Sequence, residues 1–131
     1  MFDVYAIEGD TLMVGRPKGI LDVETTKRIV EFIEIKEIET ETGFNRFCDL
    51  TRLEGIHLSF GEVLDLAVRR REFNPNDICV KSAFLAIHPL AFGIADMYAK
   101  LLNSPRIEVR VFRELEAAAD WLGVKPDRLT L

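Results

Sequence analysis

The stretch CDLTRLEGIHLSFGEV, from Cys48 to Val63, gathers the side chains best equipped for chemistry: a serine, a histidine, a threonine and several carboxylates. Ser59 is followed three residues later by Glu62, the spacing of a capping box, in which each side chain accepts a hydrogen bond from the other residue's backbone N–H. Leu58 and Val63 stand at the spacing of a hydrophobic staple around the same helix start. Ser59 therefore reads first as a helix cap. Its second reading is a candidate phosphoacceptor, because a phosphate at a helix N-terminus meets unpaired N–H groups and the positive end of the helix dipole. Thr51 is a weaker acceptor candidate, with a hydroxyl suited to stabilising a turn.

His57 is of the residue type that titrates near neutral pH and serves as a base, but as a single loop histidine it reads as solvated. His88 precedes Pro89 and reads as a capping or packing residue at a helix start. No Cys/His spacing matches a zinc site, no carboxylate pair has a distinctive spacing, and no glycine-rich nucleotide loop follows a strand. The expectation is a protein that is not an enzyme and uses no metal or cofactor.

With 48% hydrophobic content and a formal charge of −5 over 131 residues, residues 1–131 suit a single domain with one core. The acidic balance argues against a nucleic-acid partner, which needs a concentrated positive footprint. Arg69, Arg70 and Arg71 fall at the end of a predicted helix, where positive charge complements the dipole, and read as a solvated face. Successive helical residues point about 100° apart, so an anion site there needs help from Lys81, Arg106 or Arg110.

The opening MFDVYAIEGD carries no basic lead into an apolar run, so no signal peptide is expected and the localisation expected is cytoplasmic. The most apolar region, Ser82 to Ala99, is interrupted by His88, Pro89, Gly93 and Asp96; it reads as a strand followed by a helix, not an integral membrane segment. Cys48 and Cys79 read as buried reduced thiols. A redox pair stays open if their strands are neighbours.

These residues need a scaffold, and the hydrophobic period switches repeatedly between two and 3.6 along the chain. FDVYAIEG and LMVGRPKG form two short strands around Gly9-Asp10, a hairpin or adjacent edge pair. Asp22 caps a helix running to Gly43, with Val23, Ile29, Val30 and Ile33 on its broad apolar face. Phe32 and Ile35 lie away from that face: either the face is wide, or they form a self-association surface of a homodimer.

FNRFCDL is a strand, and a helix follows from Phe60 to Glu72, ending before Asn74-Pro75-Asn76-Asp77. ICVKSAFLAI is the most apolar strand, expected at the sheet centre. Pro89 opens a third helix whose stripe is Leu90, Ala91, Ile94, Ala95, Tyr98, Leu101 and Leu102. RIEVRVF alternates as a half-exposed or edge strand, and RELEAAADWL is a last helix stopping at Gly123. The order ββαβαβαβα predicts an α/β fold with a mixed five-stranded sheet and about four helices.

This order and several phrases resemble the STAS domain of sulfate transporters and anti-sigma factor antagonists. KGILD looks like the strand exit with a helix-starting aspartate, and FCDLT resembles the strand leading into the family's regulatory loop. VRVFRELEAAADWLG is similar to the end of a bacterial branch described as STAS/SEC14-like, or sporulation-antagonist-like. The resemblance implies a non-catalytic regulatory or protein-interaction module with a protein partner. By position it makes Ser59 the match to the family's phosphorylated serine and Arg52, Glu54, His57, Ser59 and Phe60 the interaction loop. Its SEC14-like side implies an alternative, a carrier or sensor of a small apolar or lipid-like ligand held between the sheet and the third helix, with Phe92, Met97 and Tyr98 as lining. Core packing is the competing role for those three.

Overall fold

Strands and helices alternate as the switching period predicts, with two short strands that it does not announce. The computed structural model describes residues 2–7, 12–73 and 75–130. Its elements are β1 (Phe2–Ile7), β2 (Leu12–Pro17), β3 (Gly19–Asp22), α1 (Val23–Glu39), β4 (Asn45–Asp49), β5 (Leu53–His57), α2 (Phe60–Glu72), β6 (Val80–Leu85), α3 (Pro89–Leu102), β7 (Ile107–Phe112), α4 (Leu115–Leu122) and a 3-10 turn, Pro126–Leu129. The predicted Gly9-Asp10 turn and Asn74 lie outside the described residues.

The main sheet has five strands in the order β1-β2-β4-β6-β7. β1 pairs antiparallel with β2, and the other three pairings are parallel, so the sheet is mixed. β4, not the more apolar β6, is its middle strand; β6 lies one position out, between β4 and the edge strand β7. β3 and β5 form a separate two-stranded parallel sheet. The expected loop from Arg52 to Ser59 is therefore a strand through most of its length.

Strand alternation divides the core in two. On one face Leu12, Val14, Phe47, Ala83 and Leu85 pack against Ala118, Ala119 and Leu122 of α4 and Leu129 of the final turn. On the other, Cys48 and Phe84 join Leu21, Leu50, Ile56, Ala91 and Ala95, beneath the helices α1 to α3. β7 alternates half-buried and exposed along Ile107 to Arg110, as an edge strand should.

The local punctuation explains most boundaries. The Asp22 carboxylate accepts from the Thr25 N–H at 2.8 Å, and that backbone hydrogen bond holds its pKa below the ordinary value. α1 stops at Glu39, with Thr40 as its C-cap, so the helix ends short of the predicted Gly43. Gly43 instead shapes the turn into β4, where its φ of +75° suits glycine and an added Cβ would come within 2.6 Å of Ile78 Cγ2. Asn103 and Gly123 close α3 and α4 in the left-handed conformation. No helix among the described residues is long and apolar enough to cross a membrane.

Candidate functional site

Ser59 caps α2 as its spacing predicts. Glu62 N–H donates to Ser59 Oγ at 3.1 Å and Ser59 N–H donates to Glu62 Oε1 at 2.8 Å, a complete capping box. Thr51 also serves a turn, its N–H and Oγ1–H both donating to Asp49 Oδ1 at 2.9 and 2.6 Å. His88 caps α3 by accepting the Leu90 N–H on Nδ1 at 3.1 Å.

Arg52, Glu54, His57, Ser59 and Phe60 are all exposed. The parallel connections put the starts of α2 and α3 at the carboxyl edge of the sheet, where Leu50 N–H donates to Leu85 O and Ala86 N–H to Phe112 O, both at 2.9 Å. Phe60, Ile87 and Leu90 are more than half exposed at these helix starts. Leu90 therefore leaves the inward stripe assigned to it. Of the two anomalous residues on α1, Ile35 is exposed whereas Phe32 is half-buried with Lys36 Nζ 5.8 Å above its ring. Ile38, one turn on, is also exposed.

The arginine triplet is a solvated face only in part: Arg69 and Arg71 are exposed, Arg70 is buried, and all three are engaged. Arg69 Nε and Nη2 donate to Glu34, the shortest contact being 2.6 Å. Arg70, with only 4% of its side chain exposed, bridges Glu34 and Glu37. Arg71 turns to the end of α3, donating to the carbonyls of Leu101 and Leu102. The 100° spacing thus sends three neighbours to different elements. The other cations expected to assist disperse: Lys81 and Arg110 flank the Trp121 ring at 5.2 and 5.1 Å. Arg106 does share a recess of about 30 Å³ with Arg70 and Arg71, but it pairs with Asp77 at 3.3 Å.

The missed partners are Glu34 and Glu37 on α1, with Arg46 on β4. Arg46 Nη1 donates to Glu37 at 2.8 Å and Nη2 to the Phe44 carbonyl at 3.1 Å. Burial disfavours the charged Glu37 carboxylate, yet Arg70 and Arg46 overcome this and hold its pKa below the ordinary value. The same competition divides the arginines: burial opposes the charge on both, Glu37 more than restores it on Arg70, and on Arg46 burial prevails.

This network adjoins a partly open apolar cavity of about 140 Å³ lined by the sheet and α1 to α3, with Arg46 and Arg70 in its wall. Met13, Cys48 and Phe84 line its sheet side, while Ile29, Leu66 and Ile94 line it from the helices. Of the three residues suggested for a lipid pocket, Tyr98 contributes, edge-on to Phe84 at 5.9 Å. Burial raises the Tyr98 pKa against the lowering effect of Arg70 and Arg46. Phe92 instead carries Arg113 3.8 Å above its ring; neither it nor Met97 lines the cavity. Two buried polar atoms of the wall have no hydrogen-bond partner among the described residues: Thr26 Oγ1 and Arg46 Nε.

The cysteines do not pair. Cys48 lines the cavity, where burial first and Asp49 second push its thiol pKa up to about 12. Cys79 is exposed just before β6, correcting its expected burial on a strand, and its Sγ lies 4.0 Å from Pro105 O. No cluster of potential metal ligands occurs among the described residues.

No family model and no curated protein matches the chain. Among solved structures it is similar to an uncharacterized protein of the DUF3478 family from Shewanella loihica PV-4, with a SpoIIAA-like fold, at 16% identity and a TM-score of 0.59. The likeness covers 93% of this chain and 92% of the other. The mixed sheet, the helix order and this likeness identify the fold as the SpoIIAA-like, or STAS-type, α/β fold.

Proposed function

We propose that this chain is a non-catalytic regulatory module that senses a small apolar molecule and answers through protein contact, in the manner of anti-sigma factor antagonist domains. The observation that carries the reading is the 140 Å³ cavity beneath α1 to α3. A cavity of similar size in a protein core is enough to hold benzene. Its walls are apolar apart from the few polar groups that orient a ligand in a binding site. The exposed Phe60, Ile87 and Leu90 at the carboxyl edge support an output surface beside Arg52 to Ser59.

Native mass spectrometry of the protein isolated from its own cells tests the reading, together with thermal shift in the presence of octan-1-ol. A retained small molecule, or a higher melting temperature with the alcohol, is expected. A ligand-free protein whose melting temperature the alcohol does not raise would overturn it.

A second reading, a docking module that carries no ligand, is favoured by the exposed Phe60, Ile87 and Leu90 at the starts of α2 and α3. It predicts that Ser59→Asp alters partner binding while octan-1-ol leaves it unchanged.

A further inference from the structure

We propose that two copies of this chain pair antiparallel through the outer edge of β7, joining their sheets into one with Val109 at the two-fold axis. Among the described residues β7 pairs with β6 alone. Val80 N–H donates to Arg106 O at 2.7 Å and Ala86 N–H to Phe112 O at 2.9 Å. The even-numbered residues of β7 therefore turn their backbone groups toward β6, and the strand period of two aims those of Ile107, Val109 and Val111 outward. Ile107 N–H has only a long contact there, 3.4 Å to Ser104 Oγ. A row of such edge groups is a template for a further strand.

Charge selects the occupant and the register. Glu108 and Arg110 stand on the α4 side of the strand, both more than half exposed, with Arg110 Nη2 3.2 Å from Glu108 Oε2. Arg110 also lies 5.1 Å over the Trp121 ring, which holds it on that side. Charges on an edge strand ordinarily deter pairing, but here they reverse sign across Val109, so the strand complements itself under the two-fold that an isologous contact requires. With Val109 opposite the partner's Val109, Glu108 faces the partner's Arg110 and Arg110 faces the partner's Glu108. These are the non-hydrogen-bonded, closer-spaced positions of an antiparallel pair, so the four charges make a ring of alternating sign. On the α3 side Ile107 meets the partner's Val111, a β-branched pair suited to a sheet. A slide of two residues one way sets Glu108 against the partner's Glu108, and the other way Arg110 against the partner's Arg110. Both put like charges directly opposite, which is destabilising.

Sedimentation velocity of the full chain at low salt, at up to about 0.5 mM, reaches dimers with Kd near the millimolar range. The wild type is expected to move toward twice the 14.9 kDa of one chain. Glu108→Arg and Arg110→Glu should each weaken the dimer about ten-fold, since each sets two like-charged pairs face to face. Mixing those two variants should give a dimer tighter than either forms alone, because every facing pair is then opposite in sign. Val109→Pro removes an N–H that β6 does not use, and should abolish the dimer while the monomer still folds. A wild type that stays monomeric overturns the inference. So does a dimer that Glu108→Arg leaves unchanged, one that Ile35→Glu on α1 dissociates, or a mixture no tighter than its components. If Val109→Pro does not fold, the charge reversals and their mixture decide the question.

Discussion

Arg70 donates to both carboxylate oxygens of Glu37, at 2.8 and 2.6 Å, tying α2 to α1 from a side chain that is 4% exposed. Removing one member of a buried pair leaves the other desolvated and uncompensated, which costs about 3–5 kcal/mol. Arg70→Met is expected to lower stability by that amount in urea denaturation. Arg70→Lys should also destabilise, because an ammonium cannot reproduce the two-pronged geometry.

The same pair predicts an acid transition. Burial favours protonation of Glu37, but Arg70 and Arg46 prevail and its folded-state pKa lies below the ordinary 4.5. The folded state therefore binds this proton less readily than the unfolded chain does. The stabilisation is present above the ordinary carboxylate value and is lost as pH falls through the depressed folded one. Stability measured between neutral pH and pH 3 should fall toward acid, and Glu37→Gln, already destabilised, should fall less steeply.

Ser59 offers a test of cap against switch. Ser59→Ala removes the acceptor for the Glu62 N–H and should cost about 1 kcal/mol. Ser59→Asp retains a capping oxygen and should stay within about 0.5 kcal/mol of wild type by urea denaturation. That variant can then probe partner binding with the fold held constant.

The two thiols should differ in reactivity. Cys48 sits in the apolar wall with its pKa pushed up to about 12, whereas Cys79 is exposed. Thiolate is the reactive form. At pH 8 a maleimide should modify Cys79 and spare Cys48 in the native protein, and modify both in urea, as mass spectrometry of the adducts would show.

The contrast between α2 and the arginine triplet marks how far local chemistry reaches. α2 starts at Phe60 and ends at Glu72 as expected, because its signals, the Ser59-Glu62 box and the turn around Pro75, lie within a few residues of its ends. β7 was legible from its alternation. β3 and β5 were not: they are only four and five residues long, β5 contains Gly55, and among the described residues they pair only with each other. Arg69 and Arg70 find partners 33 to 36 residues away, beyond any local signal. A trace was nevertheless present. Thr26, Val30 and Glu34 recur at helical spacing and are all buried, so a carboxylate on the inward stripe of α1 already required a buried cation. The cavity had no such trace, since the apolar pattern is the same whether the side chains meet across the interior or leave a space between them.

That space makes the two faces of the sheet mechanically unequal. Hydrostatic pressure favours states that eliminate internal voids. On the face beneath α4, Ala83 and Ala118 are fully buried. The face beneath α1 to α3 has the cavity of about 140 Å³. Compression should therefore loosen the α1 side first, with amide signals from α1 broadening in high-pressure NMR while those of α4 hold, and a molecule filling the cavity should remove the difference.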